Sequence, residues 1–94
     1  MLRHGIAFNA DVSEERMVDI AKALDLKKPG SESLIHYLGL LNEEIHLPLR
    51  LSSQGVKEDS IRKLSELAFQ DVCHQCNPKP VTEKDFDRIY RAAL

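Results

Sequence analysis

Both cysteines of the chain fall in one short stretch, Asp71-Val72-Cys73-His74-Gln75-Cys76-Asn77-Pro78-Lys79-Pro80, with a histidine between them. Two thiols and an imidazole at this spacing suit three kinds of chemistry. A structural zinc site wants four ligands, usually as two paired clusters. Here there is one cluster, and His4, His36 and His46 show no ligand spacing around it. A redox Cys-x-x-Cys pair wants the start of a helix, where the dipole lowers the thiol pKa, usually in a βαβ setting. This pair follows a helical pattern and no strands are predicted. The third reading is packing, since a free cysteine behaves as a small hydrophobe. A helix running on to Cys76 would turn about 100° per residue and put Phe69, Cys73 and Cys76 on one side. His74 would point away from them, towards Lys63 and Gln70. The residues alone therefore favour buried or pocket-lining thiols over a small Cys/His metal or thiol protein. No Ser/His/Asp, paired-carboxylate or glycine-rich phosphate motif can be assembled.

The elements that must hold this stretch read as helices throughout. No segment alternates apolar and polar residues for long, and aromatic and β-branched residues are sparse. Residues 1–8 form one helical piece, with a break expected at Asn9-Ala10-Asp11. Asp11 and Glu14 have the form of a capping box for the next helix, which carries Met17, Ile20, Ala21 and Leu24 as its stripe. Glu14 and Glu15 at its start and Lys27 and Lys28 at its end suit the helix dipole. Pro29-Gly30 ends it. Ser31 is placed to cap a third helix, with Leu34, Leu38, Leu41 and Ile45 on one face. Ile35, Tyr37 and Leu40 widen that face, and interior Gly39 points to a close neighbour.

An ordered loop over 47–56 follows, bracketed by Pro48 and Gly55, with its three leucines expected to be buried. Lys57-Glu58-Asp59-Ser60 opens a fourth helix with Ile61, Leu64, Ala68 and Val72 on its main face. Asn77-Pro78 ends it, because a residue before proline avoids the α region. Thr82 caps the last helix with Asp85 at the box position, and Phe86, Ile89, Tyr90 and Ala93 form its stripe. The expected fold is all-α, about five helices in one compact bundle-like domain over 1–94.

The totals exclude several classes. A chain of 94 residues makes one modest core that buries roughly 60–65% of the unfolded surface. Hydrophobic residues make up 43% and charged residues 30%, the balance of an ordinary globular domain. No apolar run approaches a membrane span, and Met1 to Phe8 is too short and too broken to be a signal peptide. The net charge of −2, with acids and bases interspersed, argues against nucleic acid or an anionic membrane as partner. Two cysteines make no disulfide framework, so the expected compartment is the cytoplasm.

The order of these elements resembles the C-terminal helical region of the iron-containing alcohol dehydrogenase family. The stretch from Phe8-Asn9 through the acidic-to-basic helix, the leucine-rich helix, and Gly55-Val56 before an acidic helix start all contribute. The most specific part is Asp71-x-Cys73-x-x-x-Asn77-Pro78-Lys79 followed by Thr82, which looks like that family's D-x-C-x-x-x-N-P-[RK] signature. The resemblance covers about Leu2 to Leu94.

The resemblance implies a two-domain oxidoreductase. An N-terminal α/β domain binds NAD or NADP, and a helical domain holds a divalent metal, iron or zinc. That metal polarises the alcohol or carbonyl oxygen while hydride passes to or from the nicotinamide. The glycine-rich cofactor segment and the family's one-aspartate, three-histidine metal set would lie upstream of this sequence. His4-Gly5 does not take the place of the last metal histidine, because Phe8-Asn9 follows too soon. Cys73 matches the signature cysteine that faces the substrate or nicotinamide pocket. Asn77 and Pro78 match its structural turn. Lys79 stands where arginine is common, so a bidentate contact there is lost.

By this reading the chain alone holds no catalytic residue, metal or nicotinamide. Its partner is the N-terminal cofactor domain of the same enzyme, and a homo-oligomer is allowed. A stand-alone helical interaction module, using the wide apolar surface over 34–45, is the alternative.

Overall fold

The computed structural model describes all 94 residues. It contains four α helices and no strand: α1 (Leu2–Ala23), α2 (Ser31–Glu44), α3 (Ile61–Gln70) and α4 (Glu83–Ala93). Three 3-10 turns, Ser52–Gln54, Glu58–Ser60 and Val72–Cys76, lie between α2 and α4. The all-α expectation holds. The helix count drops to four because the first two expected helices run as one, bent at Ser13 (φ −133°, ψ 19°). The bend lies just beyond the expected break at 9–11, where a serine leaves the helical backbone ahead of the acidic pair Glu14-Glu15. The chain divides into two compact units, Met1–Leu47 and Pro48–Leu94.

The first unit is the α1/α2 pair. Met17 and Ala21 of α1 and Leu34 of α2 are buried, together with Ser31. Ile20 and Leu24, expected on the same stripe, stay 49% and 39% exposed, so the buried face is narrower than the apolar pattern.

The start of α2 is held across the pair. Gly30, not Ser31, is the N-cap. The Ser31 N–H donates to Glu14 Oε1 at 3.0 Å. A carboxylate from α1 thus satisfies an orphan donor of α2 and opposes its dipole. Hydrogen bonds from the Ser31 side chain, then from its backbone, hold the Glu14 carboxyl below its usual value. Glycine suits position 30 because a Cβ there would lie 3.2 Å from Glu14 Oε1.

Both helices of this unit end alike. Asp25 (φ 56°) and His46 (φ 58°) adopt the left-handed conformation. Their N–H groups donate to Lys22 and Glu43, and those of Leu26 and Leu47 to Ala21 and Asn42. This pattern is the Schellman motif, built with aspartate and histidine where glycine is usual. It releases the chain from α1 ahead of Pro29-Gly30.

The second unit is the α3/α4 pair with a strap in front of it. Ile61 and Ser65 of α3 and Ala93 of α4 are buried. The Ser65 hydroxyl donates to the Ile61 carbonyl at 2.9 Å, so its polar atom is satisfied inside the core. Residues 48–56 form the strap. Leu51 N–H donates to Ala93 O at 2.8 Å, and the Ser52 hydroxyl to Leu94 O at 2.5 Å. Leu49 and Leu51 are half-buried, while Leu47, placed with them in the sequence pattern, is 51% exposed. Gly55 closes the strap at φ 83°, where a side chain would be strained.

The capping box of α4 forms as expected. Asp85 N–H donates to Thr82 Oγ1 at 3.2 Å, and Thr82 N–H to Asp85 Oδ2 at 2.9 Å. Arg88 pairs with the same Asp85. Arg91 pairs with Asp87 one turn back at 2.6 Å and with Glu58 at 2.9 Å. The second contact links α4 to the turn that opens α3.

Candidate functional site

The cysteine stretch is not a continuation of α3. That helix ends at Gln70, and Asp71 is extended (φ −74°, ψ 127°). Asp71 Oδ1 accepts the Cys73 N–H at 2.9 Å. An aspartate side chain offers the backbone this local alternative to the helix ladder, and here it restarts the chain as the 3-10 turn Val72–Cys76. Asn77 ends that turn in extended conformation (φ −68°, ψ 145°), as the following Pro78 requires. Asn77 Nδ2 then donates to the Lys79 carbonyl at 2.7 Å. Asp, Asn and Pro of the D-x-C-x-x-x-N-P-K pattern thus open, close and stiffen one turn, and the cysteine sits on it.

This geometry corrects the expected side-chain phase. Cys73 and Cys76 are both exposed rather than part of a buried stripe with Phe69. His74, expected to face solvent, is the half-buried residue. Its ring stacks on Phe69 at 5.1 Å and 14° and meets the edge of Phe86 at 5.8 Å and 79°. Its Nε2 lies 3.0 Å from the Phe69 carbonyl. The imidazole therefore fastens the turn to the end of α3 and to α4, with Phe86 stacked in turn on Tyr90. Val72, assigned to the main face of α3, lies past the helix end and is 69% exposed.

Asp71 and Cys73 set each other's protonation. The Cys73 N–H, then its thiol, hold the Asp71 carboxyl low. In return, the hydrogen bond to Asp71 and then its charge push the Cys73 thiol above its ordinary value. The raised thiol suits a pocket wall better than a nucleophile. The sequence marked Asp71 only as a member of the signature and weighed His74 only as a metal ligand or a solvent-facing residue. The Asp-x-Cys spacing carried the signal for the first, since aspartate bonding two residues ahead is a recurring local motif. Nothing local carried the second, because Phe69 and Phe86 come from two different helices.

No three His, Cys, Asp or Glu side chains are grouped to hold a metal ion. Asp71, Cys73, His74 and Cys76 are near in sequence, but the imidazole is turned to the aromatic rings. The residues present therefore do not fit a metal centre, and no chemical step on this chain is assigned to one. No helix is long and apolar enough to cross a membrane. A shallow cleft of about 410 Å³ in the first unit is lined in part by Arg3, Glu32, Ile35, His36, Gly39 and Leu40. Its mixed charges and open shape build no reaction centre.

An all-helical chain carrying this turn between α3 and α4 has clear relatives. The family model for the C-terminal part of the Fe-containing alcohol dehydrogenase family matches residues 1–94, and the chain belongs to that family. It is 29% identical to lactaldehyde reductase of Escherichia coli K12 over 99% of the chain and 26% of that enzyme's length. Identity to the NAD-dependent methanol dehydrogenase of Bacillus methanolicus is 35%, over 97% of the chain and 26% of the enzyme. The crystal structure of a 1,3-propanediol oxidoreductase superposes with a TM-score of 0.91 at 27% identity, covering 99% of this chain and 26% of that one. The chain thus spans about a quarter of the length of the relatives it matches.

Proposed function

We propose that the chain is the C-terminal helical part of a metal-dependent NAD(P) alcohol dehydrogenase, which moves hydride between an alcohol or aldehyde and a nicotinamide. The observation that carries this reading is the Asp71–Asn77–Pro78 turn, built as a local unit inside a chain that matches the family model from end to end. Relatives named as NAD-dependent and NADPH-dependent dehydrogenases support a nicotinamide cofactor of either kind.

In this reading the missing upstream part binds the cofactor and holds the metal, which polarises the reacting oxygen. This chain supplies a wall of the substrate or nicotinamide pocket through Cys73, whose proton is held in place by Asp71. Asn77 and Pro78 fix the turn that presents it. Leu40, Phe69 and Val72, each 44% exposed or more, are apolar surface for the upstream part to cover. The enzyme works in the cytoplasm, and a homo-oligomer is compatible with the remaining surface.

The test is activity by parts. The 94-residue chain is expected to show no alcohol-dependent NADH or NADPH formation with added iron or zinc. Joined to the upstream three quarters of a relative such as the methanol dehydrogenase, in place of that enzyme's own C-terminal part, it is expected to give an active chimera. Activity in the isolated chain, or a folded chimera that binds cofactor yet transfers no hydride, overturns the proposal.

A further inference from the structure

We infer that His74 is a positioning residue for Cys73. Together with Asp71 it takes over one hydrogen bond of the α3 ladder, and so keeps the cysteine on the turn Val72–Cys76 instead of on a longer helix. The pocket role of Cys73 rests on the enzyme reading above; the exchange of hydrogen bonds does not.

In an α helix each N–H donates to the carbonyl four residues back. Were α3 to run on, the Cys73 N–H would meet the Phe69 carbonyl. It goes instead to Asp71 Oδ1, at 2.9 Å. The Phe69 carbonyl lies in the last turn of α3, among the acceptors that a helix end leaves without a backbone partner. His74 Nε2 stands 3.0 Å from it. A carbonyl only accepts, so Nε2 carries a proton, and the neutral ring is the Nε2–H tautomer. One backbone bond is thus exchanged for two side-chain bonds. Asp71 compensates the donor and His74 the acceptor.

The exchange decides where the thiol lies. On a continued α helix Cys73 would follow Phe69 at i+4 and share its side of the helix. On the turn it leaves that register and is exposed. The turn needs an anchor, because its five residues exceed the roughly three or four that a 3-10 helix usually runs. The imidazole supplies one from both neighbouring helices. It stacks on Phe69 of α3 at 5.1 Å and meets the edge of Phe86 of α4 at 5.8 Å. Removing the ring frees the Phe69 carbonyl to take back the Cys73 N–H, which lengthens α3 and turns the thiol away from its place in the pocket wall.

The experiment has two arms. In the 94-residue chain, the ring-nitrogen NMR shifts of neutral His74 are expected to show the Nε2–H tautomer. His74→Ala is expected to move the backbone carbon shifts of residues 71–73 towards α-helical values. His74→Gln, whose amide nitrogen can reach the same carbonyl, is expected to keep them near wild type. The second arm uses the chimera with the methanol dehydrogenase. A pocket wall meets the substrate in ground and transition state alike, so its loss shows in KM. His74→Ala is expected to raise KM for the alcohol about tenfold, the scale of one lost hydrogen bond, with kcat kept and His74→Gln restoring KM. The Nδ1–H tautomer, unmoved shifts at residues 71–73 in His74→Ala, or a loss in kcat with KM unchanged overturns the inference. The tautomer is read on the wild-type chain, so a poorly folded variant does not shield the proposal. Failure of the enzyme reading shows separately, as a folded wild-type chimera that transfers no hydride.

Discussion

Asp71 holds two duties at once, as a cap for the turn and as a neighbour of the Cys73 thiol. Its carboxylate accepts the Cys73 N–H and faces the same residue's sulfur. The two duties separate by substitution. Asparagine keeps an oxygen for the N–H but carries no charge, so Asp71→Asn should preserve the turn and lower the Cys73 pKa. In a Cys76→Ser background, the pH midpoint of Cys73 alkylation is then expected to move down relative to the Asp71 chain. An unchanged midpoint would mean that the carboxylate does not hold the thiol proton. Asp71 is a positioning residue here, and the pH profile is the readout that a purely structural role would not move.

At the scale of elements, what could be foreseen divides by the reach of the interaction. The Thr82/Asp85 capping box was legible because both partners lie within three residues of each other. The end of α3 at Gln70 was not, because Asp71 is tolerable within a helix and only the complete turn, with Pro78, makes leaving it worthwhile. Reading the helix on to Cys76 reversed the faces of His74 and the thiols. The cap on α2 was hidden for a different reason. Glu14 reaches Ser31 across 17 residues, and no local pattern specifies that contact. The box at α4 gives a direct measurement. Thr82→Ala removes the acceptor for the Asp85 N–H and is expected to cost about 1 kcal/mol, read from urea unfolding. A loss below a few tenths of that would show α4 held by packing alone.

For the molecule as a whole, pH acts through groups in both units. Glu14, Asp71 and Asp85 have folded pKa values below their reference values of 4.5, 3.8 and 3.8. Their contribution to stability is complete above those reference values and is lost as pH falls through the lower, folded ones. His4, whose Nε2 is buried without a hydrogen-bond partner, is held below its reference value of 6.5 by desolvation and then by Arg3. The unfolded chain therefore takes up that proton first, and stability begins to fall as pH drops past 6.5. Thermal melts should show a shallow decline below neutrality and a steeper one in the acid range. Glu14→Gln should flatten only the steeper limb, and equal slopes in the two chains would remove Glu14 from the account. The strap over 48–56 has a bearing on handling. Its donors Leu51 N–H and the Ser52 hydroxyl end on the carbonyls of Ala93 and Leu94. Loss of those two carbonyls would unlatch a segment more than forty positions away. Ala93 and Leu94 are thus the clasp of the second unit, and amide exchange in the strap would report whether it is shut.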